Sequence, residues 1–302
     1  MKKFKVAVLM GGISSEREVS LVSGKFVFEA LSKSFECESF RLDKNELPEA
    51  LDSKKHIVFP AMHGEYGEDG TLQEQLERRG FSYAGSNSLS SRVCMNKSAA
   101  KALLMQAKIP TARGLTFDAA KKPSAEAAIS LLGENLILKP ADKGSSVGLK
   151  KISGLSDLER ELGEIKDGLW LLEEFFKGRE FSVGVIEGAA MGIVEIIPEG
   201  GVYDFKRKYT AGATRYEFPA KLSSSDEIRI KATAERAFRA CGCRDFARVD
   251  FLLSESNQFV VLELNTLPGM TPTSLLPKSA SCMGYTFESL CQKMLEGAIS
   301  RF

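Results

Sequence analysis

The sequence predicts a mixed α/β and α+β protein in which a parallel βαβ unit precedes antiparallel sheets. In residues 1–90, buried apolar runs alternate with amphipathic helical patterns, which is typical of a parallel sheet covered by helices. After Pro110, strand patterns follow one another with a single helical pattern between them, which favours antiparallel pairing. A length of 302 residues exceeds what one ordinary core needs and indicates two or three packed units.

The first unit, residues 1–90, resembles a Rossmann-like half. Residues 4–10 form an apolar run that ends in two glycines, and residues 16–31 follow with helical spacing. Residues 56–61 predict a second buried strand, and residues 71–79 predict an amphipathic helix after a turn. This order of strand, turn and helix predicts that the polar residues after each strand meet at one edge of the sheet.

Two α+β units are predicted to follow, over residues 91–176 and 177–302. The predicted helices are 96–107, 157–162, 226–240 and 287–299, and the predicted strands are 136–139, 148–151, 169–175, 181–185, 246–253 and 259–264. The polar stretch 203–225 shows little periodicity, and a long loop of this kind within a folded enzyme is usually a lid. We place the lid at residues 203–220.

The charge balance excludes several classes of partner. Lys plus Arg number 41 and Asp plus Glu number 40, so the net charge of +1 provides no global field for nucleic acid or an anionic membrane. No stretch approaches the ~20 apolar residues of a membrane span. The six cysteines are scattered and no secretion signal precedes them, which favours reduced thiols and a cytoplasmic location.

The most informative motif is Arg248-Val249-Asp250, followed on the next strand by Glu263-Leu264-Asn265. Strand side chains alternate, so Glu263 and Asn265 share a face. An even number of loop residues, as in 254–257, would place Asp250 on that face, opposite or diagonal to Glu263. Hard oxygen ligands of this kind suit magnesium held together with nucleotide phosphates. Polar residues on the solvent face of a hairpin would give the same spacing, and the spacing leaves both readings open.

A second motif pairs Lys139 at a strand end with the Gly/Ser-rich segment 142–148. Loop amides and hydroxyls can surround phosphate oxygens, although the segment lacks the spacing of a Walker P-loop. The basic cluster 206–209 lies within the predicted lid, where it could bring cations over phosphates. A surface hairpin and a solvated basic cluster are the corresponding structural alternatives.

Residues at two further strand ends are candidates for binding small molecules. Glu16 follows the glycines of the first strand, where a carboxylate either stabilises a helix start or faces a substrate ammonium. His63 follows the second strand and would lie at the same sheet edge. The pattern of residues 171–176 with Glu180 predicts a linker strand that could hold adenine and ribose, although a charged surface strand has the same pattern.

In this order, these segments resemble the D-alanine-D-alanine ligase family of the ATP-grasp superfamily. The matching residues are those of segments 11–20, 63–70, 139–148, 208–220, 248–250 and 262–275, so the resemblance covers nearly the whole chain. It implies an ATP-grasp fold, ATP as cosubstrate, and two Mg2+ ions for which Mn2+ can substitute. D-alanine is the implied substrate and a homodimer the implied assembly.

The resemblance also assigns roles to individual residues. It places ATP phosphates at Lys97, Lys139, Ser145, Ser146 and Lys208, and adenine and ribose at Glu173, Phe175, Phe176 and Glu180. It places the metals at Asp250, Glu263 and Asn265, the first D-alanine at Glu16 and His63, the second at Ser274 and Leu275, and the oxyanion at Arg248 and Gly269. Ser146 and Tyr209 would link the phosphate loop and the lid to Glu16.

The implied reaction forms an acyl phosphate from the first D-alanine, which the amine of the second then attacks. Phe175 and Leu264 stand where many relatives carry Trp and a smaller residue, a change that concerns packing more than chemistry. A ligase with a different second substrate, such as D-lactate or another amino acid, and a catalytically silent nucleotide-binding regulator are the alternatives.

Overall fold

The computed structural model describes residues 4–144, 147–198 and 214–302. The strands are β1 (Lys5–Gly11), β2 (Cys37–Leu42), β3 (His56–Pro60), β4 (Ser82–Tyr83), β5 (Gly114–Asp118), β6 (Asn135–Pro140), β7 (Lys150–Ser153), β8 (Leu169–Glu174), β9 (Arg179–Ile186), β10 (Ala189–Pro198), β11 (Thr214–Glu217), β12 (Phe246–Leu253) and β13 (Phe259–Asn265). The helices are α1 (Arg17–Leu31), α2 (Thr71–Arg78), α3 (Ser88–Met95), α4 (Lys97–Gln106), α5 (Ala125–Leu132), α6 (Leu155–Glu164), α7 (Ser224–Ala240), α8 (Leu275–Ser281) and α9 (Phe287–Arg301).

The first sheet has the order β2-β1-β3-β4, and its strands run parallel, which confirms the predicted βαβ unit. Successive residues of β1 alternate between two cores. Val6 and Val8 pack in the core that contains α1 and α9, whereas Ala7 and Leu9 pack in the core that contains α2. Both faces of this sheet are therefore covered, and its central strands are almost entirely apolar.

The last helix, α9, packs against the first sheet although it lies at the other end of the chain. Leu290 and Leu295 belong to the same buried cluster as Val6 and Val8. Near the end of α9, Arg301 donates hydrogen bonds to the Asp245 carboxylate and to the Tyr83 carbonyl, 2.8 Å away. The fold of the first sheet thus depends on residues from the C-terminal segment.

The second sheet has the order β5-β8-β6-β7 and is antiparallel, as predicted. Helices α5 and α6 cover one face through Leu132 and Leu158, which pack against Leu136 and Leu138. Helix α6 was predicted from the sequence, but α5 was not. The opposite face carries Lys139 and Glu173 and borders a large cleft.

The third sheet has the order β11-β10-β9-β12-β13, and its described pairs are antiparallel. Helices α4 and α7 cover one face, where Val183, Val249 and Phe238 are buried. The other face carries polar residues in its central strands and meets α8 at its far end. Within the described ranges, none of the helices has the length and apolar character needed to cross a bilayer.

Candidate active site

A bulge in strand β13 determines which side chains meet on the polar face of the third sheet. Leu253 pairs with Phe259, so five residues lie between the paired positions, not the even number that the spacing argument required. An uninterrupted ladder would then pair Asp250 with Leu262. Instead the register shifts between Asp250 and Phe251, and Asp250 pairs with Glu263.

The side-chain environments agree with this register. Val261 and Leu264 both lie in the buried core on the α7 side, which is possible only because Leu262 is the extra residue between them. Glu263 and Asn265 consequently face the other side together with Asp250 and Arg248. The predicted convergence of these residues is present, and a local irregularity produces it.

Asp250 is held by two neighbours in a buried environment. Arg248 donates from Nε to Oδ1 at 3.0 Å and from Nη2 to Oδ2 at 2.8 Å, and both side chains are buried. From the adjacent strand β9, Ser182 Oγ donates to Asp250 Oδ1 at 2.7 Å. These charge-assisted bonds fix the carboxylate in one orientation.

A cleft of about 530 Å³ lies between the second and third sheets. Nine of the residues selected from the sequence line it together. They are Lys97, Lys139, Glu173, Phe175, Phe176, Glu180, Arg248, Asp250 and Glu263. The cleft thus brings the predicted phosphate, nucleobase and metal residues to one place.

Two largely buried lysines, Lys97 and Lys139, line one part of this cleft, which we call its inner end. Lys97 follows Asn96, whose side chain caps α4 by accepting from the Ser98 and Ala99 amides. Burial lowers the pKa of Lys97, and the Glu263 carboxylate, 3.9 Å from its Nζ, acts in the opposite direction. A partly desolvated cation of this kind gains more than an exposed one by contacting a phosphate.

The outer part of the cleft combines aromatic and charged groups. Lys151 Nζ lies 4.3 Å from the centroid of the Phe175 ring, within the range of a cation–π interaction. Arg179 donates two hydrogen bonds to Glu195, at 2.8 and 2.7 Å, on the cleft wall next to Glu180. Phe175 and Glu180 were predicted here from the sequence, whereas Lys151, Arg179 and Glu195 were not.

A second group of predicted residues lies at the edge of the first sheet. Glu16 is the residue before α1 and is 8% exposed, and its Oε2 lies 3.1 Å from the position that a Cβ on Gly64 would occupy. Ser14 Oγ donates to the His63 carbonyl at 2.7 Å. The carboxylate of Glu16 therefore lies beside the 63–64 turn, as the sequence predicted.

His63 joins this edge to the segment that follows β13. Its Nδ1 lies 3.0 Å from the Leu267 carbonyl and its Nε2 lies 3.0 Å from Ser23 Oγ. Ser23 Oγ in turn accepts from the Met270 amide at 3.1 Å. Both ring nitrogens are thus engaged with protein atoms, and this geometry suits a residue that positions the 267–270 segment.

The segment after β13 carries the remaining predicted residues. Asn265 Oδ1 accepts from the Leu267 amide at 3.0 Å, and Ser274 Oγ accepts from the Thr271 amide at 3.1 Å. Gly269 lies next to Ser274, because a Cβ there would be 3.1 Å from Ser274 Oγ. Leu275 is buried at the start of α8. One continuous segment therefore connects the metal candidates to the candidates for the second substrate.

Four predicted residues, Ser145, Ser146, Lys208 and Tyr209, lie outside the described residues. The neighbouring Lys143 forms an ion pair with Glu65 of the first unit. The segment before Ser145 is therefore joined to the loop that follows His63.

A family model described as "D-ala D-ala ligase C-terminus" matches residues 103–296. The chain belongs to the D-alanine–D-alanine ligase family. The D-alanine--D-alanine ligase of Anaeromyxobacter sp. (strain Fw109-5) is 40% identical to it over 299 residues, covering 97% of this chain and 96% of the relative. That of Bordetella pertussis is 41% identical over 301 residues, covering 97% and 95%.

Solved structures of family members have the same fold. A D-alanine–D-alanine ligase from Bacillus anthracis complexed with ATP superposes with a TM-score of 0.86 at 29% identity, over 98% of both chains. The VanG D-Ala:D-Ser ligase from Enterococcus faecalis gives a TM-score of 0.85 at 28% identity, over 98% of this chain and 99% of that one. The predicted ATP-grasp fold is confirmed.

The donor set fits the magnesium ions that this ligase family implies. Asp250, Glu263 and Asn265 offer hard oxygen atoms on one face. Three donor groups, Ser182 Oγ and Arg248 Nε and Nη2, bond to the two oxygens of Asp250, which together have about four acceptor positions. Three side chains are too few for a closed cage, so phosphate oxygens would have to complete the coordination.

Proposed function

We propose that this protein joins two D-alanine molecules to D-alanyl-D-alanine and converts ATP to ADP and phosphate. Family membership along the full length of the chain supports this activity. The product is a building block of peptidoglycan precursors. An acyl phosphate of the first D-alanine is the expected intermediate, because a free carboxylate does not react with an amine at a useful rate.

One observation carries the proposal. Two lysines, Lys97 and Lys139, line the same cleft as Arg248 and the cross-strand carboxylates Asp250 and Glu263. A simple nucleotide-binding protein needs cations for phosphate, but it does not need a buried arginine bonded to a metal-binding carboxylate. This combination suits phosphoryl transfer followed by attack on a carbonyl.

The cleft residues would bind ATP in an extended orientation. Lys97 and Lys139 neutralise phosphate charge at the inner end, and Phe175, Phe176 and Glu180 hold adenine and ribose at the outer end. Glu173 lies between these ends and accepts hydrogen bonds only, because it is ionised. Magnesium, when bound at Asp250, Glu263 and Asn265, would neutralise charge on the transferred phosphoryl group.

The two amino acids would bind where the first sheet meets the segment after β13. Glu16 pairs with the ammonium of the first D-alanine, and His63 positions the opposite wall through Leu267. Ser274 and Leu275 receive the carboxylate of the second D-alanine at the start of α8. Both substrates would then lie beside the inner end of the ATP cleft.

Arg248 and the Gly269 amide would stabilise the oxyanion that forms when the second amine attacks. The bonds from Arg248 to Asp250 fix the plane of the guanidinium before substrates bind. Such preorganisation is effective because the donors need not reorient during the reaction. The roles of Ser146, Tyr209 and the 203–220 lid in excluding water stay predictions.

The test is ADP release by the purified protein with ATP and Mg2+, coupled to mass analysis of the product. D-alanine should give the dipeptide, and L-alanine should give no turnover. An Asp250→Ala, Glu263→Ala double variant should lose activity while an exposed control variant, Lys25→Met, should retain it. Tight ATP binding without any dipeptide would refute the proposal and favour a silent nucleotide-binding regulator.

The identity of the second substrate is tested in the same assay. In mixtures of D-alanine with D-serine or D-lactate, the two compounds compete as the second substrate. This comparison is needed because a D-Ala:D-Ser ligase is among the structural neighbours. We expect D-alanyl-D-alanine to dominate, because relatives near 40% identity are D-alanine--D-alanine ligases. A mixed dipeptide or ester as the main product would replace the proposed acceptor.

Assembly and location complete the proposal. We infer a homodimer in the cytoplasm, where ATP and D-alanine are available, as the family resemblance implies. Light scattering coupled to size-exclusion chromatography should give twice the mass of one chain. A single-chain mass at assay concentration would contradict the dimer.

A further inference from the structure

The carboxylate of Glu173 is shared between two lysines. Lys101 pairs with Oε1, and Lys139 Nζ lies 2.6 Å from Oε2. All three side chains are largely withdrawn from solvent, with exposures of 13%, 12% and 11% for Lys101, Lys139 and Glu173. A buried acid with two cationic partners requires an explanation, since one partner would neutralise it.

The two lysines differ in what they can reach. Lys139 and Glu173 both line the large cleft, whereas Lys101 does not. Lys101 lines a small cavity behind it, together with Leu104, Leu171 and Glu173. A nucleotide in the cleft can therefore contact Glu173 and Lys139 while Lys101 stays on the protein side of the carboxylate.

This arrangement matters once phosphates enter the cleft. A triphosphate attracts Lys139, and Lys101 then remains bound to Glu173. Burial alone would raise the pKa of Glu173, but Lys139 and Lys101 outweigh burial and hold it below its usual value. Lys97 and Glu263 also line the small cavity that Lys101 and Glu173 share.

An ionised carboxylate accepts hydrogen bonds and cannot donate them. It matches a purine with an amino group at C6, as in adenine, and is repelled by a purine with a carbonyl oxygen at C6, as in hypoxanthine. The strength of this discrimination depends on whether the carboxylate keeps its charge and its orientation.

We propose that Lys101 is a positioning residue for purine selectivity, holding Glu173 as an acceptor directed at the C6 substituent of the base. The inference rests on the proposed function, which places Glu173 at the nucleotide. Lys101 contacts neither the nucleotide nor the reacting atoms. Its effect is expressed in the ratio of kcat/KM for ATP to kcat/KM for ITP.

The experiment measures this ratio for the wild type, Lys101→Met and the exposed control Lys25→Met. A hydrogen bond to a charged group contributes about 1.5–3 kcal/mol, so loss of Lys101 should reduce the ratio roughly tenfold or more. Most of the change should come from a higher KM for ATP, since the chemical step is untouched. Lys25→Met should leave the ratio unchanged.

A double-variant cycle separates positioning from a general structural role. In a Glu173→Gln background the amide needs no counter-charge, so adding Lys101→Met should change the ratio less than about twofold. Equal losses for ATP and ITP in Lys101→Met would overturn the proposal, as would a full additional effect in the Glu173→Gln background. If Lys101→Met fails to fold, Lys101→Gln takes its place in both comparisons.

Binding measurements keep the inference separate from the proposed function. Calorimetric titration with MgADP and MgIDP reports base discrimination without any ligation. Reduced ADP preference in Lys101→Met together with an inactive wild type would support the inference and refute the ligase activity. An active wild type with an unchanged ADP preference in Lys101→Met would support the ligase activity and refute the role of Lys101.

Discussion

Replacing Ser182 by alanine tests how the carboxylate of Asp250, the proposed metal ligand, is held in place. Ser182 Oγ donates to Asp250 Oδ1 at 2.7 Å, and the serine is 0% exposed. Water cannot substitute for the lost hydroxyl at such a position. The substitution removes one bond from a buried carboxylate and leaves the backbone pairing of β9 with β12 intact.

The size of the expected loss in stability follows from the hydrogen bonds that Asp250 keeps. Hydrogen bonds to charged groups contribute about 1.5–3 kcal/mol. Asp250 Oδ1 keeps the Arg248 Nε donor at 3.0 Å, so the loss should lie at the lower end, near 1.5 kcal/mol in the free energy of unfolding. A looser carboxylate should also bind metal less well, with the Mg2+ concentration for half-maximal rate rising about tenfold.

Urea denaturation in EDTA measures the stability change without metal, and initial rates over a range of Mg2+ concentrations measure the second effect. Ser300→Ala is the matched control, because Ser300 is exposed and, among the residues that the structure describes, its hydroxyl donates only to the Gly297 carbonyl of the same helix. A Ser182→Ala variant that is no more destabilised than this control, and whose Mg2+ dependence is unchanged, would contradict this role of Ser182.

Three further predictions concern the walls of the site. Gly192→Ala places a Cβ 2.2 Å from the Cβ of Cys282, the residue that follows α8, so overpacking should cost about 1–3 kcal/mol and raise KM for the second amino acid more than for ATP. Gly163→Ala, whose added Cβ meets nothing within 4 Å, is the stability control. The lowered pKa of Glu173, where burial is outweighed by lysines, means that its contribution to stability is complete above the unfolded value of 4.5 and is lost as pH falls through the folded value. Urea midpoints between pH 6 and pH 3.5 should therefore fall less steeply for Glu173→Gln, and equal slopes would contradict this assignment. Lys151→Met removes the cation over Phe175 and should raise KM for ATP about two- to fivefold, as steady-state kinetics would detect; a KM equal to that of the wild type would exclude the contact as a contributor.

Much of the fold could be predicted because burial leaves a strong local pattern. β1 and β3 are apolar on both faces, so their runs were visible without any partner. β2 is partly exposed and lacks a clear alternation, and α5 is a short helix rich in alanine, so neither produced a signal above that of a loop.

Less of the candidate site than of the fold could be predicted from the sequence. The sequence indicated Asp250 and Glu263, but their pairing depends on the bulge at Leu262, and no residue type there distinguishes a bulge from a regular strand. Ser182 reaches Asp250 through strand pairing across 68 positions. Lys101, by contrast, lies one helical turn after Lys97, and a search for charges at that spacing would have found it.

The position of α9 has a consequence for the order in which the protein can mature. Helix α1 shares the face of β1 and β3 that contains Val8 and Phe59 with α9, so part of this face stays exposed until Leu290, Met294 and Leu295 are available. The ribosome synthesises those residues long after residues 1–90, so the first 90 residues leave the exit tunnel with an apolar surface that they cannot fully bury alone. Nascent chains halted before residue 287 should therefore be captured by chaperones, whereas chains that include α9 can cover the first sheet.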